Sequence, residues 1–192
     1  LTATTGAYSE TTAPSSTATA ASGDWSMYAV VYDAVADVLE TSNRVVVFDV
    51  STAVYSQNFS VASQDTGPNG LAFNTDGTKM FVVGSAGQDV NEYALTTGFD
   101  VSTASFTDAF SVSAQDTAPD GIAFNTDGTK MFIVGGTGDD VNEYTLSTGF
   151  DVSTASFVDS FSVNSQDTQP HGIAFNTDGT KMFITGETND NV

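Results

Sequence analysis

The sequence predicts an all-β protein made of β-propeller blades, each with four antiparallel strands, at a period of 51 residues. The first observation behind this is a repeat. Residues 63–113 and 114–164 are identical at 38 of 51 positions without an insertion or deletion, and a third copy begins at residue 165. A fixed period of this length is typical of stacked supersecondary units such as propeller blades.

The second observation is that each 51-residue unit contains four strand signals. In the second unit, short apolar or alternating segments at residues 121–124, 130–134, 141–146 and 155–163 predict the strands. The Asp127-Gly128 pair between the first two predicts a tight hairpin, because glycine supplies a positive φ. Four antiparallel strands in about 50 residues match a propeller blade.

The repeat also predicts the domain organisation. Residues 1–23 are a Ser/Thr/Ala-rich linker or the end of a preceding domain, and residues 24–62 are a degenerate first blade. Two full blades follow at 63–113 and 114–164, and 165–192 is a partial blade. A propeller needs roughly four to eight blades. We therefore expect an incomplete propeller and a fragment of a longer chain; copies that assemble into one ring are the alternative.

Composition excludes some classes of partner. The chain has 24 acidic and four basic residues, a net charge of −20, and no cysteine. Nucleic-acid binding through phosphates needs clustered Lys and Arg, so we expect no nucleic-acid partner. No apolar run reaches the roughly 18 residues of a membrane helix, so we expect no membrane insertion. We also see no leader sequence, and the absence of cysteine leaves the redox compartment open.

Residues 121–135, Gly-Ile-Ala-Phe-Asn-Thr-Asp-Gly-Thr-Lys-Met-Phe-Ile-Val-Gly, resemble the blade motif of the YVTN, NHL and lactonase-like β-propellers. With Asp-Val-Asn-Glu-Tyr and Phe-Asp-Val-Ser-Thr-Ala-Ser-Phe, the unit looks closest to 51-residue repeats of long proteins from marine bacteria and tailed bacteriophages. The viral resemblance implies a phage tail, fibre or capsid-surface component. The fold itself hosts binders, scaffolds and enzymes.

Two loops contain acidic residues that suggest a metal site. The Asn-Thr-Asp-Gly-Thr loop lacks the ligand spacing of an EF-hand, so we interpret it as a turn. The best candidates are Asp139, Asp140, Asn142 and Glu143, whose oxygens form a partial set for Ca²⁺. A solvated acidic loop is the alternative, so we expect either no cofactor or calcium.

Differences between the copies mark a candidate binding surface. They concentrate before the first strand and between the second and third strands, whose connections open at one end of a blade. We call this end the variable rim. It includes the only histidine, for which sequence supplies no catalytic partner. Its candidate binding residues are Asn69, Gln88, Asp120, Asp139, Asp140, His171 and Asp190.

These observations give two function hypotheses. The first is a non-enzymatic scaffold or adhesin of a large extracellular or virion-surface protein, whose partners would be other virion or cell-surface proteins, glycans or further copies of itself. The alternative is a metal-dependent lactonase-like hydrolase. It requires Asp, Glu, Asn or His side chains from several blades to converge on one point, within bonding distance of a metal ion.

Overall fold

The computed structural model describes residues 51 and 53–188, and the chain divides into two units, Leu1–Tyr55 and Ser56–Val192. The strands described below all lie in the second unit. They are β1 (Pro68–Phe73), β2 (Lys79–Gly84), β3 (Asp89–Leu95), β4 (Ala104–Ser111), β5 (Pro119–Phe124), β6 (Lys130–Gly135), β7 (Asp140–Leu146), β8 (Ala155–Ser162), β9 (Pro170–Phe175) and β10 (Met182–Gly186).

The strands form antiparallel sheets in chain order. One sheet is β1-β2-β3-β4, the next is β5-β6-β7-β8, and β9 pairs with β10. Two short 3-10 turns, Val101–Thr103 and Val152–Thr154, are the helical elements of the described residues. This arrangement confirms the all-β prediction of four-stranded blades. The sheets do not close into a ring, as an incomplete propeller requires.

The Asn-Thr-Asp-Gly-Thr segments form hairpin turns. In the second unit, Gly128 has φ +71° and its N–H donates to the carbonyl of Asn125 at 3.1 Å. Asp127 Oδ1 accepts from both the N–H and the hydroxyl of Thr129, at 3.0 and 2.6 Å. The carboxylate thus acts as a local cap for the turn, which confirms the interpretation as a turn.

The connection between the third and fourth strands has the same structure in both full blades. Asp100 and Asp151 cap the two 3-10 turns through the N–H groups of Ser102 and Ser153. The preceding phenylalanines adopt positive φ, 61° at Phe99 and 58° at Phe150. A bulky residue rarely takes this conformation, so surrounding contacts must hold it in place.

The largest hydrophobic core lies between the two complete sheets. It joins Phe81, Val83 and Val90 of the first sheet to Met131, Ile133 and Tyr144 of the second, all fully buried, as its main members. The ring of Phe110 meets the ring of Tyr144 edge-on, with centroids 5.5 Å apart. Aromatic residues of the repeat thus pack between neighbouring sheets.

Most of the predicted degenerate blade, residues 24–50 and 52, lies outside the described residues, and so does the predicted linker at 1–23. These domain boundaries stay predictions. Residues 53–61 form no strand, but Phe59 packs edge-on against Tyr93 with ring centroids 5.5 Å apart. Phe110 packs on Tyr144 in the same way one repeat later. In the part of the chain that the structure describes, no helix has the length and apolar character to span a bilayer.

Candidate functional site

The first strands of successive sheets, β1, β5 and β9, lie side by side, as the innermost strands of propeller blades do. Glycine makes this close approach possible. A Cβ atom added at Gly70 would lie 2.5 Å from the carbonyl oxygen of Asp120, and one at Gly121 would lie 2.5 Å from that of His171. Any larger residue at these two positions would push the first strands apart. The glycines therefore fix the spacing of the residues beside them.

Asn69, Asp120 and His171, which occupy one repeat position, form a hydrogen-bonded row across three sheets. The Asn69 amide donates to Asp120 Oδ1 at 2.6 Å and to the carbonyl of Pro119 at 3.2 Å. His171 Nδ1 lies 2.9 Å from Asp120 Oδ2. An ionised carboxylate can only accept, so Nδ1 donates this hydrogen bond, and Nε2 is the ring nitrogen that Asp120 does not hold. We call these three residues the inner row.

Glu187 also lies beside His171 and was not among the predicted site residues. Its Oε2 lies 3.6 Å from His171 Nε2, too far for a direct hydrogen bond. Its side chain is 72% exposed, whereas that of Asp120 is 19% exposed. The equivalent residues in the other units are Ser85 and Gly136, so its divergence between copies was the available signal.

Buried aspartates hold the loops of the variable rim against each other. Asp65 Oδ1 accepts from Gly67 N at 2.6 Å and its Oδ2 accepts from Gly87 N at 2.9 Å, which joins the loop before β1 to the loop between β2 and β3. Asp116 occupies the same position in the second unit and accepts from Ala118 N at 2.6 Å. Both carboxylates are almost fully buried. These bonds position the chain segment that leads into the inner row.

The structure does not bring the four predicted metal ligands to one point. Asp140 Oδ1 accepts from the Asn142 amide at 2.9 Å, and Asp139 Oδ2 accepts from the Asn164 amide at 2.6 Å. Glu143 follows Asn142 in β7 and pairs with Lys130 instead. Successive residues of a strand point to opposite faces, which separates the two side chains. Calcium binding by this set stays a prediction.

Neighbouring acidic residues affect the protonation of the variable rim. Burial, opposed by hydrogen bonds and assisted by Asp116 and Asp139, raises the pKa of Asp140 above its usual value. Burial and then the charge of Asp65 raise the pKa of Asp89, its equivalent in the first unit. Burial also raises the pKa of Tyr144. The surroundings of Asp89 and Asp140 therefore disfavour the ionised form of these two side chains.

The remaining predicted rim residues do not join the inner row. Gln88 and Asp139 occupy equivalent loop positions with φ of 57° and 52°. Their carbonyl oxygens accept from the N–H groups of Val112 and Val163, at 3.0 and 2.9 Å. Asp190 lies outside the described residues. The positive φ of Gln88 and Asp139 thus accompanies a structural bond to the end of the fourth strand.

The side-chain oxygen and nitrogen atoms of the inner row are not arranged as ligands of a metal ion. Both carboxylate oxygens of Asp120 face N–H donors, from Asn69 and from His171. Within residues 51 and 53–188, no three side chains from His, Cys, Asp or Glu gather where one cation could be held. In the inner row, Asp120 instead orients the His171 ring through Nδ1.

Comparison with solved structures supports the β-propeller fold. The chain is similar to a Bacteroides uniformis protein described as a "putative 6-phosphogluconolactonase", with TM-score 0.51, 12% identity, and coverage of 65% of this chain and 35% of that one. A protein from Lactobacillus plantarum gives TM-score 0.51 at 15% identity, with coverage of 64% and 35%. A periplasmic gluconolactonase from Pseudomonas aeruginosa gives TM-score 0.49 at 17% identity, with coverage of 65% and 34%.

The chain spans about a third of the length of these structures. No family model matches the sequence, and no curated protein matches it significantly. The prediction of a non-enzymatic segment is wrong, because a structure that shares the fold is described as a "putative 6-phosphogluconolactonase". Sequence identities this low show the fold alone. The phage, virion and extracellular predictions gain no support from the comparisons.

Proposed function

We propose that the chain is part of a lactonase-like hydrolase that opens a cyclic ester, with its chemistry at the inner row. The observation that carries this proposal is the Asp120–His171 pair, contributed by adjacent sheets at 2.9 Å. The enzyme hypothesis required side chains from several blades to converge. Asn69, Asp120 and His171 come from three successive units and meet in one row.

The proposed reaction uses water as the nucleophile. Asp120 accepts a hydrogen bond from the Nδ1–H of His171 and so holds the ring with Nε2 directed to act as general base. Nε2 removes a proton from water as its oxygen attacks the lactone carbonyl carbon. The ring C–O bond then breaks, and the leaving alkoxide receives the proton from the imidazolium. The products are one carboxylic acid and one alcohol in a single open chain.

Asn69 acts on the pair indirectly. Its amide donates to the second oxygen of Asp120, so that this carboxylate is bound from both sides and cannot rotate away from His171. Catalytic groups need to be held within a narrow range of geometry, because small displacements cost large rate factors. Asn69 is therefore a positioning residue for the proposed base.

Charge favours an uncharged substrate. In the part of the chain that the structure describes, the basic residues are His171 and the lysines Lys79, Lys130 and Lys181. The lysines lie beside the hairpin turns, at the end of the sheets opposite the inner row. Asp120 and Glu187 flank the proposed base. A phosphorylated lactone would be repelled there, so we expect a neutral sugar lactone or a simple cyclic ester.

The test is hydrolysis of δ-gluconolactone, γ-butyrolactone and a phosphorylated gluconolactone, followed as acid release above the spontaneous rate. We expect turnover of a neutral lactone, and a loss of roughly 100-fold in His171→Gln and Asp120→Asn, the usual contribution of a general base. Gln88→Ala at the variable rim is the control and should retain the wild-type rate. Equal rates in the wild type and His171→Gln would overturn the proposal.

A further inference from the structure

The third unit places an imidazole beside a carboxylate, a combination that the other two units lack. Its inner-row residue is His171, the only histidine of the chain, and the loop after β10 carries Glu187 where the other units have Ser85 and Gly136. An imidazole nitrogen together with a carboxylate oxygen suits zinc and related transition metals. The difference between units therefore brings two ligand types to one place.

A buried aspartate holds together the two chain segments that carry these residues. Asp167 is 6% exposed, and its Oδ1 accepts from the N–H groups of Gln169 at 2.7 Å and Thr188 at 3.4 Å. The N–H of Glu187 itself donates to the carbonyl of Gln169 at 3.0 Å. Gln169 leads into His171, so these bonds fix the backbone of Glu187 relative to that of His171.

The distance between the two side chains fits a shared metal ion. His171 Nε2 and Glu187 Oε2 lie 3.6 Å apart, beyond hydrogen-bond distance. Two ligand atoms of one tetrahedral zinc ion, each bonded at about 2.1 Å, lie roughly 3.4 Å apart. The observed separation is therefore close to that of two ligands on a single ion.

Asp120 supplies the support that a metal-binding histidine needs. It accepts from Nδ1 of His171 at 2.9 Å, and its other oxygen is held by the Asn69 amide at 2.6 Å. Histidines that bind metals almost always donate their second ring N–H to such a partner, which orients the ring and makes the ligating nitrogen more basic. The carboxylates of Asp120 and Glu187 also attract a cation electrostatically.

We propose that His171 Nε2 and Glu187 Oε2 bind one divalent transition-metal ion of the zinc type, with water as the other ligands, and that this ion blocks the proposed base. A bound ion occupies the lone pair of Nε2, which then cannot remove a proton from water. Two protein ligands hold zinc less tightly than the three or four of permanent sites, so the block is reversible. The inhibition rests on the proposed function, whereas the metal binding does not.

The first experiment is calorimetric titration of the chelator-treated chain with ZnCl₂. We expect one saturable site. His171→Gln and Glu187→Gln should each lower the zinc affinity by more than about tenfold, and Asp120→Asn by about tenfold, the usual loss when a partner that orients a ligand is removed. The control is Asp159→Asn on the exposed strand β8, which removes one negative charge elsewhere and should change the affinity less than about twofold.

Two results of the titration would overturn the metal site. One is the absence of saturable zinc binding to the folded chain. The other is equal zinc affinity in the wild type, His171→Gln and Glu187→Gln, which would mean that zinc only associates with the acidic surface. Calcium prefers six to eight oxygen ligands, so CaCl₂ at the same concentration should not displace the bound zinc.

The second experiment measures hydrolysis of a neutral lactone with and without ZnCl₂, each variant relative to its own zinc-free rate. Saturating zinc should lower the wild-type rate about 100-fold, as loss of a general base does. Glu187→Gln should need about tenfold more zinc for the same inhibition. Acceleration by zinc would overturn the inhibitory role. Zinc binding that depends on His171 and Glu187, without hydrolysis of any lactone, would support the metal site and overturn the proposed function.

Discussion

The two ends of each sheet behave differently in this molecule. At the end with the hairpin turns, the same hydrogen bonds recur in every unit, as Asp76, Asp127 and Asp178 each cap their turn through a threonine. At the variable rim, one repeat position carries Asn69, Asp120 and His171, and these differing side chains bind one another. We call the end with the hairpin turns the constant end. The comparison teaches that the constant end repeats one turn in every unit, whereas the variable rim joins neighbouring units through side chains that differ.

Removal of the Phe150 ring, which contacts both complete sheets, should have the largest effect on stability. We expect Phe150→Ala to lower the free energy of unfolding by about 3 kcal/mol, because the ring contacts both sheets. The control is Val158→Ala on the outer strand β8, where the side chain is 51% exposed, which should cost less than about 1 kcal/mol. Urea denaturation measures both. Equal losses of unfolding free energy would mean that the contacts of Phe150 with both sheets add no stability.

The Lys79–Glu92 ion pair offers a second matched comparison. Lys79→Met leaves the Glu92 carboxylate almost buried without its cation, and should cost about 2 kcal/mol. Lys130→Met breaks the same pair one repeat later, where both partners are more exposed, and should cost less than about 1 kcal/mol. Thermal unfolding at matched pH checks the order. A larger loss of stability in Lys130→Met would contradict the role assigned to burial of the Lys79–Glu92 pair.

Carboxylates at the two ends should respond oppositely to neutralisation, with smaller effects. Burial raises the pKa of Asp140 in the folded chain, so its ionisation opposes folding at neutral pH. Asp140→Asn should therefore stabilise the chain at pH 7. The gain should shrink as the pH falls through the raised pKa and be absent below the unfolded value of 3.8. Stabilisation of the wild type by calcium that is lost in Asp140→Asn would instead indicate a metal site.

Asp127 at the constant end is the matched control for this pH dependence. Hydrogen bonds from the hydroxyl and the N–H of Thr129 lower its pKa, so its ionised form supports folding above pH 3.8. Asp127→Asn should destabilise the chain at pH 7, and the difference from wild type should disappear as the pH falls through the lowered pKa. The same sign of effect in both variants would remove the electrostatic distinction between the two ends.

The sequence was sufficient to predict the blade and much of its detail. The Asp127-Gly128 pair indicated the hairpin, and apolar segments indicated the four strands of each unit to within a few residues. Those features are local, so propensity and turn chemistry decide them. The divergence between copies also selected Asn69, Asp120 and His171. Their contact was beyond the sequence, because it depends on how closely Gly70 and Gly121 let the first strands approach.

Other features differ between units whose sequences are nearly identical. Phe99 and Phe150 occupy the same repeat position; the described ring contact of Phe99 is with Phe73 of its own sheet, whereas Phe150 contacts rings of two sheets. Only the neighbouring unit determines which environment each side chain meets, and a repeat pattern does not contain that information. Glu187 was missed for a related reason. It lies in a loop, and its approach to His171 depends on the paths of two connections.

The most direct test of the inner row uses the fact that the chain has one histidine. Nitrogen-15 NMR of the His171 ring, recorded with and without a neutral lactone, reports both ring nitrogens separately. We predict a proton on Nδ1 that depends on Asp120, and a change at Nε2 when the lactone is added and hydrolysed. A proton on Nε2 that persists in Asp120→Asn, with no response to any lactone, would contradict the proposed site.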